Sequence, residues 1–373
     1  MINLLKKLTA IHSSYPNEMQ MVKFMYDFFK NKNYTVKKQN VEKNRYNLLV
    51  SKGKGSKSIL LYSHMDTVAI SSGWNTDPLK LKIIKDNAYG LGAWDMKSGM
   101  VAALQAFLDY QPKNIKIKFS LCVDEENISK GGYALIKSKF MKDVACVISP
   151  EPAFFNGING IVTGRIGRAV YDIEIGGVSR HFALYDNKYD INKFSAELLL
   201  KLNSLNKLID KERKQFIFAR KIKSEAIGMS IPQKTYIQLD SSVLPPNTHQ
   251  KILKQIRKVS ESINLKYDNS FNVCVNFVKR ETPFLEPYEI DKNNPYLRLL
   301  SKSVSETTKK KAIPYFRSSV ADENIFGSYG FTVLGIGPEG GNAHAPNEWV
   351  SITSMKKLNL VIMNFLKKAD DIC

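Results

Sequence analysis

Cysteine, acidic side chains and long apolar runs are scarce in this 373-residue chain, and each scarcity excludes a class of protein. The four cysteines (Cys122, Cys146, Cys274 and Cys373) are scattered, so we expect neither a disulfide framework nor a cysteine metal clip. No uninterrupted apolar stretch reaches the roughly 18 residues that a membrane helix needs. The N-terminal stretch MINLLKKLTAIHSSYPNE lacks a small-residue cleavage site, which argues against a secretory signal and favours a cytoplasmic protein.

The shortage of acidic residues, 35 Asp and Glu against 55 Lys and Arg, leaves a net charge of +20. A basic surface can serve an anionic partner, such as nucleic acid or an acidic carrier protein. The lysines are spread along the whole chain rather than clustered beside aromatic residues. We therefore expect a general surface bias and no nucleic-acid partner, and we keep an acidic carrier protein as an alternative.

The first half of the chain alternates between apolar runs and helical stretches. With 43% hydrophobic and 24% charged residues the chain is globular, and its length favours two domains. Such alternation predicts an α/β layer around a largely parallel sheet. The predicted strands are 45–51, 58–63, 115–123 and 143–149, and the predicted helices are 96–110 and 131–140.

The pattern changes after Arg165. Residues 168–177 alternate apolar and polar side chains, as a strand with one solvated face does. Predicted elements then follow in the order helix, strand, strand, helix, strand, which with 168–177 makes a small α+β unit of the split βαβ kind. We therefore predict a catalytic domain in two parts, 1–165 and 284–373, interrupted by an inserted domain at 166–283.

Acidic and imidazole side chains follow the predicted strands of the α/β layer. Each has an ordinary structural explanation by itself: a hydrogen-bonded histidine, a solvated acidic run, or an aspartate that caps a helix. Together they would lie at the carboxyl edge of one sheet, where ligands of open α/β sheets bind. The residues are His64, Asp66, Asp95, Glu125, Glu126, Glu151 and His344.

These residue types suit a pair of divalent cations. Hard-to-borderline cations prefer imidazole and carboxylate ligands, and two neighbouring cations need a carboxylate that bridges them. Two histidines, one bridging aspartate and two further carboxylates meet this need, which leaves one glutamate as a general base.

With these motifs, the chain resembles the co-catalytic zinc hydrolases that include acetylornithine deacetylase, succinyl-diaminopimelate desuccinylase, aminoacylase and glutamate carboxypeptidase. The resemblance extends over essentially the whole length and includes LLYSHMDTV, YGLGAWDMKSG, CVDEENISKGG, SPEP and GPEGGNAHAPNEWV in the family's order. It implies a three-layer α/β catalytic domain of the zinc-exopeptidase type. It also implies an inserted ferredoxin-like domain that serves as lid and dimerisation surface.

The resemblance assigns roles residue by residue. It implies two divalent ions, most often zinc, with cobalt or manganese as alternatives. One ion takes His64, Asp95 and Glu151, and the other takes Asp95, Glu126 and His344, so that Asp95 bridges them. Asp66 orients the His64 imidazole, and Glu125 is the general base. The peptide bond between Asp95 and Met96 is expected to be cis.

In the inserted domain, His181 matches a histidine that reaches the partner subunit's active site and stabilises an oxyanion. The resemblance therefore implies a homodimer. Arg165 matches an arginine that contacts a substrate carboxylate in some members, with a structural role at the hinge as the alternative. Ser242 stands where many relatives carry a substrate-binding arginine, and a hydroxyl cannot replace a guanidinium. Either another basic residue takes that role or the substrate is different, and we predict that Arg317, Ser318 and Ser319 contribute to substrate binding.

The predicted function is removal of an acyl or carrier group from the nitrogen of an amino acid, in the manner of acetylornithine deacetylase. An exopeptidase or dipeptidase resembling glutamate carboxypeptidase is the alternative, because both reactions use the same catalytic residues. A third reading is a metal-bound binding protein without catalysis, which the presence of Glu125 disfavours.

Overall fold

The computed structural model describes residues 1–372. Several helices begin at side chains that cap their free N–H groups: Asn294 accepts from Tyr296 and Leu297, for example, and Pro295 takes the first helical position. The helices are α1 Ile2–Thr9, α2 Met19–Lys30, α3 Gly99–Asp109, α4 Lys130–Ile136, α5 Ile191–Leu202, α6 His249–Leu265, α7 Pro295–Thr308, α8 Glu323–Ser328 and α9 Ile352–Asp371. Among residues 1–372, no helix has both the length and the apolar character of a membrane span.

The strands are mostly short. In chain order they are β1 Val36–Glu42, β2 Arg45–Lys52, β3 Ser58–His64, β4 Lys82–Ile84, β5 Asn87–Tyr89, β6 Lys116–Cys122, β7 Val144–Ser149, β8 Gly160–Arg165, β9 Gly167–Gly176, β10 Lys207–Leu208, β11 Lys214–Gln215, β12 Ile217–Ser224, β13 Lys234–Val243, β14 Asn272–Phe277, β15 Tyr288–Glu289, β16 Ile313–Arg317, β17 Thr332–Gly335, β18 Gly340–Gly341 and β19 Trp349–Ser351.

The chain divides into two compact units. The first contains residues 1–163, 290–315 and 321 onward, and the second contains residues 164–289 and 316–320. The inserted domain at 166–283 stays a prediction; the second unit also contains 316–320, which the sequence analysis placed in the catalytic domain. The segment groups with the second unit because Arg165 donates to Ser319 and Ser318 donates to Glu212.

The main sheet of the first unit has the strand order β1-β2-β6-β3-β7-β17-β8. Its centre is parallel, since β3 pairs in parallel with both β6 and β7, and β17 pairs in parallel with β7. Its flanks are antiparallel, where β1 pairs with β2, β2 with β6, and β17 with β8. The predicted largely parallel sheet is therefore a mixed sheet with a parallel centre.

The core of the first unit is built on the apolar runs that the sequence shows. All seven residues of β3 are buried, as expected of a central strand covered on both faces. Helix α3 is rich in alanine and lies against β3 and α9. Phe29, Phe107 and Phe119 pack with their ring centroids 5.7 to 6.3 Å apart. Cys122 and Cys146 are buried thiols within this layer.

The second unit contains an antiparallel sheet in the order β12-β13-β9-β14. Its main elements run β9, α5, β12, β13, α6, β14, the strand and helix order that the sequence predicted. Strand β12 lies at 217–224, and the exposed segment 225–229 that follows it contains a turn rather than a strand. Alternate residues of β9 and β13 supply an apolar core with Phe194 and Ile256.

Candidate metal centre

The parallel centre of the main sheet explains how distant parts of the chain meet. Strands β6, β3, β7 and β17 are consecutive in the sheet and run in the same direction, so their carboxyl ends share one edge. His64 ends β3, Glu125 and Glu126 follow β6, and Glu151 follows β7. This edge is the place where open α/β sheets carry their ligand sites.

Asp95 reaches the same edge from an irregular helical turn, Ala93–Ser98, that precedes α3. The turn approaches the loop after β7 closely: a Cβ at Gly99 would lie 1.8 Å from the Pro150 carbonyl oxygen, so only glycine fits. The peptide bond between Asp95 and Met96 is cis, as predicted.

The Asp95 carboxylate lies between the two histidines. Its Oδ1 is 3.5 Å from His64 Nε2, and its Oδ2 is 3.3 Å from His344 Nε2. His64 Nε2 is also 3.4 Å from Glu151 Oε1, and His344 Nε2 is 3.1 Å from Glu126 Oε2. The structure thus forms two groups of three ligand atoms that share Asp95, and within each group the atoms lie within 4.8 Å of one another.

These distances fit metal ligation. Two donors about 2.1 Å from one tetrahedral ion lie about 3.4 Å apart, and the observed separations within each group are close to that value. His64 Nε2 and Glu151 Oε1 are buried and have no hydrogen-bond partner among the described residues. Unpartnered buried polar atoms are costly unless something else binds them. The donor set therefore suits a pair of divalent cations.

Electrostatics points the same way. Burial and the charge of Asp95 raise the pKa of Glu126 to about 7, and the same two causes raise the pKa of Glu151. Burial, opposed in part by His64, raises the pKa of Glu125 well above its ordinary value. Carboxylates this close repel one another when ionised, and bound cations offset that repulsion.

Asp66 holds the site together in two ways. Its backbone carbonyl is 3.0 Å from His64 Nδ1, and since a carbonyl can only accept, Nδ1 carries the proton and Nε2 presents its lone pair. Its carboxylate Oδ1 is 3.6 Å from Nδ1, too far for a hydrogen bond. The other carboxylate oxygen accepts the Glu126 N–H at 2.9 Å.

Glu125 is oriented by the start of α8. The Asp322 N–H donates to Glu125 Oε1 at 3.2 Å, and Glu125 Oε2 lies 4.0 Å from His64 Nε2. Asp322 is itself held by the Tyr62 hydroxyl, which donates to its Oδ2 at 2.6 Å. The base position is therefore fixed by a buried network behind it.

A comparison with protein families identifies this arrangement. The model of peptidase family M20/M25/M40 matches residues 60–368, which include every residue proposed to bind metal or to act as base. The chain belongs to peptidase family M20/M25/M40. It is therefore a metallohydrolase of a family whose enzymes act on C–N bonds.

Related M20 proteins span the whole chain. The succinyl-diaminopimelate desuccinylase of Sulfurovum sp. (strain NBC37-1) is 24% identical over 376 residues, covering 98% of each chain. An uncharacterised metallohydrolase of Methanocaldococcus jannaschii is 25% identical and covers 90% of this chain and 88% of that protein. The similarity to desuccinylases agrees with the resemblance drawn from the motifs.

Solved M20-type structures share the fold. A tripeptidase from Staphylococcus aureus superposes with a TM-score of 0.78 at 18% identity, over 99% of this chain and 98% of that one. A dinuclear metal-binding M20 peptidase from Bacillus subtilis gives a TM-score of 0.77 at 12% identity, over 100% and 98%. These likenesses establish the predicted α/β fold with its separate antiparallel sheet.

The predicted substrate-binding residues lie in the second unit. Arg165 is buried, and its Nη1 donates to Ser319 Oγ at 2.8 Å, so the structure brings these two together. Ser318 instead donates to Glu212 Oε2 at 2.8 Å. Arg317 is also buried, at the end of β16.

The structure also shows the surroundings of Ser242 and His181, two other residues of the second unit that the sequence analysis singled out. Ser242 is buried in β13, where its hydroxyl donates to the Lys214 carbonyl and accepts the Phe216 N–H, so it serves the backbone. His181 is exposed, and its Nδ1 accepts the Ala183 N–H at 3.3 Å. Its role at the reaction centre stays a prediction.

The sequence analysis missed two residues that hold the candidate metal centre in place. The Asp322 backbone N–H offers no sequence signal, because any residue there would donate it. Glu348, which contacts the backbone around Asp95, had one signal: it lies four residues after His344 in NAHAPNEW.

Proposed function

We propose that this chain is a dizinc deacylase that hydrolyses the amide bond between an acyl group and the nitrogen of an amino acid. The observation that carries the proposal is the Asp95 carboxylate, with one oxygen toward His64 and the other toward His344. In this proposal Glu151 completes the ligands of the first zinc and Glu126 those of the second.

The bound ions would polarise the amide carbonyl and lower the pKa of water from 15.7 to about 7. Glu125 accepts a proton from the attacking water at its carboxylate and then passes it to the departing amine nitrogen. The Asp322 N–H holds Glu125 Oε1 in place, so the Glu125 carboxylate need not reorganise between the two proton transfers.

Asp66 is proposed as a positioning residue. Through its carbonyl it keeps the proton of His64 on Nδ1, and through its carboxylate it holds the backbone of Glu126. The two contacts link one proposed ligand of each ion, so Asp66 sets the spacing between the ions' ligands.

An acylated amino acid is the proposed substrate because the similar desuccinylases are named for removing a succinyl group from an amino acid. Its carboxylate calls for a cationic partner, and we propose Arg165 and Arg317, with Ser318 and Ser319 beside them. A structure with bound product tests this: a carboxylate held by neither arginine contradicts it.

We further propose that the second unit serves as the lid and joins two copies, with His181 acting on the partner's substrate. An exposed apolar patch supports this proposal. Phe182 N–H donates to the Met229 carbonyl, which places Phe182 beside Met229, and both side chains are more than half exposed, as are Leu184 and Ile227 in the same two segments. Sedimentation velocity is expected to give a dimer, and a fully active monomer contradicts the arrangement.

The test of function is a substrate panel with the zinc-loaded protein. It contains N-acetyl and N-succinyl amino acids, dipeptides, tripeptides, and an amino acid linked to an acidic carrier protein. We expect hydrolysis of acylated or carrier-linked amino acids and not of peptides. Cleavage of peptides alone selects the exopeptidase alternative, and two bound metals with no hydrolysis selects a binding protein.

A further inference from the structure

The turn that carries Asp95 satisfies only part of its own backbone: Ala93 and Lys97 donate to nearby carbonyls, whereas Gly92, Trp94 and Asp95 donate to a side chain from elsewhere. Gly92 has a left-handed conformation with φ of 71°, and Asp95 and Met96 depart from helical angles. The N–H groups around Asp95 therefore lack the carbonyl partners that a regular helix supplies, and they are buried.

One side chain binds three of these N–H groups. Glu348 Oε2 accepts from Gly92 at 2.7 Å, and Glu348 Oε1 accepts from Trp94 at 2.7 Å and from Asp95 at 2.8 Å. Glu348 is 1% exposed. A buried carboxylate with three short N–H contacts is a strong and directional clamp.

The same glutamate is fixed to the segment that carries His344. Its backbone carbonyl accepts the Gly90 N–H at 3.0 Å, and the next residue, Trp349, begins the pairing of β19 with β5. Only three residues separate Glu348 from His344. Glu348 thus connects the two segments that flank the proposed second ion.

We infer that Glu348 is a positioning residue for the metal centre, holding the bridging Asp95 at a set place relative to His344. This inference rests on the proposed function, since it assumes that these residues bind metal. The Glu348 carboxylate is not one of the proposed ligands. It acts through the backbone of Asp95, whose two oxygens must point in different directions to serve two ions.

The chemistry of the clamp suggests the variant. In Glu348→Gln the side chain keeps its length and loses its charge, and an NH2 group replaces one accepting oxygen. That NH2 faces an N–H group and cannot accept from it, so at least one of the three contacts is lost. The Asp95 turn is then held less firmly.

The chain offers a matched control in Asp370, which is 2% exposed. Its carboxylate also accepts three backbone N–H groups, from Lys113 at 2.8 Å, Asn114 at 2.7 Å and Ile115 at 3.0 Å. That loop carries none of the proposed ligands. Asp370→Asn therefore removes the same kind of clamp at a place unconnected with the metal centre.

The experiment measures zinc affinity by competition with a chromogenic chelator, the visible spectrum of the cobalt-loaded protein, and urea unfolding. Both variants are expected to unfold at lower urea. Only Glu348→Gln is expected to weaken zinc binding, by about 10- to 100-fold at one or both ions, and to change the cobalt spectrum. Wild-type affinity and spectrum in Glu348→Gln, or equal weakening in Asp370→Asn, overturns the inference.

If Glu348→Gln fails to fold, Glu348→Asp answers the same question, because it keeps the charge on a shorter arm. We expect Glu348→Asp to weaken zinc binding by less than about 100-fold and still to change the cobalt spectrum. An unchanged spectrum together with an unchanged affinity overturns the inference. A wild-type protein that binds two ions but hydrolyses no amide contradicts the proposed function alone. A wild-type protein that binds no metal contradicts both the proposed function and the inference about Glu348.

Discussion

The first unit buries charged side chains beside the proposed ligands, whereas the second unit, although it buries Arg165 and Arg317, exposes a group of large apolar side chains. The first unit buries charge: Arg45 is 5% exposed and binds both Glu18 and Asp124, and Lys97 is 1% exposed. The second unit has an apolar core and exposes large apolar side chains, such as Ile227 and Met229. Buried charge must be held by partners to be tolerated, and the first unit supplies such partners around the residues proposed to bind metal.

The buried charges of the first unit surround the loops that carry the proposed ligands. Asp124, which Arg45 binds at 2.8 Å, directly precedes Glu125, and Lys97 follows Asp95 by two residues. Burial lowers the pKa of Lys97 to about 8. These two buried charges therefore lie beside the loops that carry the proposed ligands.

The largest expected effect concerns the proposed base. Glu125→Ala is expected to lower kcat by about 10²- to 10⁴-fold, because no other group is placed to take the proton from water. Metal content, measured by elemental analysis, should stay near two ions per chain. Retained turnover would refute the role of Glu125.

Removing metal should lower the stability of the first unit and leave that of the second unit unchanged. With zinc at about 1,000 times its Kd, binding stabilises the first unit by about 4 kcal/mol, so a chelator should lower its melting temperature. All three tryptophans (Trp74, Trp94 and Trp349) belong to the first unit, so their fluorescence reports its unfolding. The hydrogen exchange of β9 and β13 in the second unit should be unchanged. If these strands lost as much protection as the first unit, the two units would not differ in their dependence on metal.

The exposed histidine of the second unit offers the reverse test. His181→Ala is expected to lower kcat by about 10²- to 10³-fold, as loss of an oxyanion donor does. The melting temperature should not change, since the His181 side chain is exposed. A normal rate would mean that the second unit supplies no group to the reaction.

The smallest expected effect is a pH dependence confined to the second unit. Burial lowers the pKa of His249 to about 4, and the start of α6 also disfavours a cation. The unfolded chain, with a pKa near 6.5, takes up the proton first, so stability falls as the pH drops from about 6.5 to about 4. The loss is roughly 3 kcal/mol.

His249→Gln is the variant that isolates this effect, because it removes the titrating ring and keeps a polar side chain. Its unfolding, followed by hydrogen exchange in β9 and α6, should depend less on pH between 6.5 and 4 than that of the wild type. Identical pH dependence in the two proteins would assign the effect to other groups. Glu286, whose carboxylate lies 3.4 Å from His249 Nδ1, is not one of them, because burial raises its pKa and such a group stabilises the fold as the pH falls.

The elements with strong patterns were predictable. The buried strand β3, the amphipathic helix α6 and the alternating strand β9 follow from period and burial alone. Short strands such as β5 and β18 have too few residues for a pattern, and they form because β19 pairs with them. The grouping of 316–320 with the second unit depends on Arg165 and Ser319, which are 154 positions apart.

The sequence by itself determined which side chains reach the edge of the sheet, because strand order along the chain and the place of each residue after its strand are local properties. His64, Glu126 and Glu151 belong to this class. Only the tertiary structure decided how the site is held. The Asp66 carbonyl binds His64, the Asp322 N–H binds Glu125, and the Glu348 carboxylate binds the backbone N–H of Asp95. One partner in each contact is a backbone group, which nearly every residue possesses, so the side chains in the sequence do not identify that partner before the chain has folded.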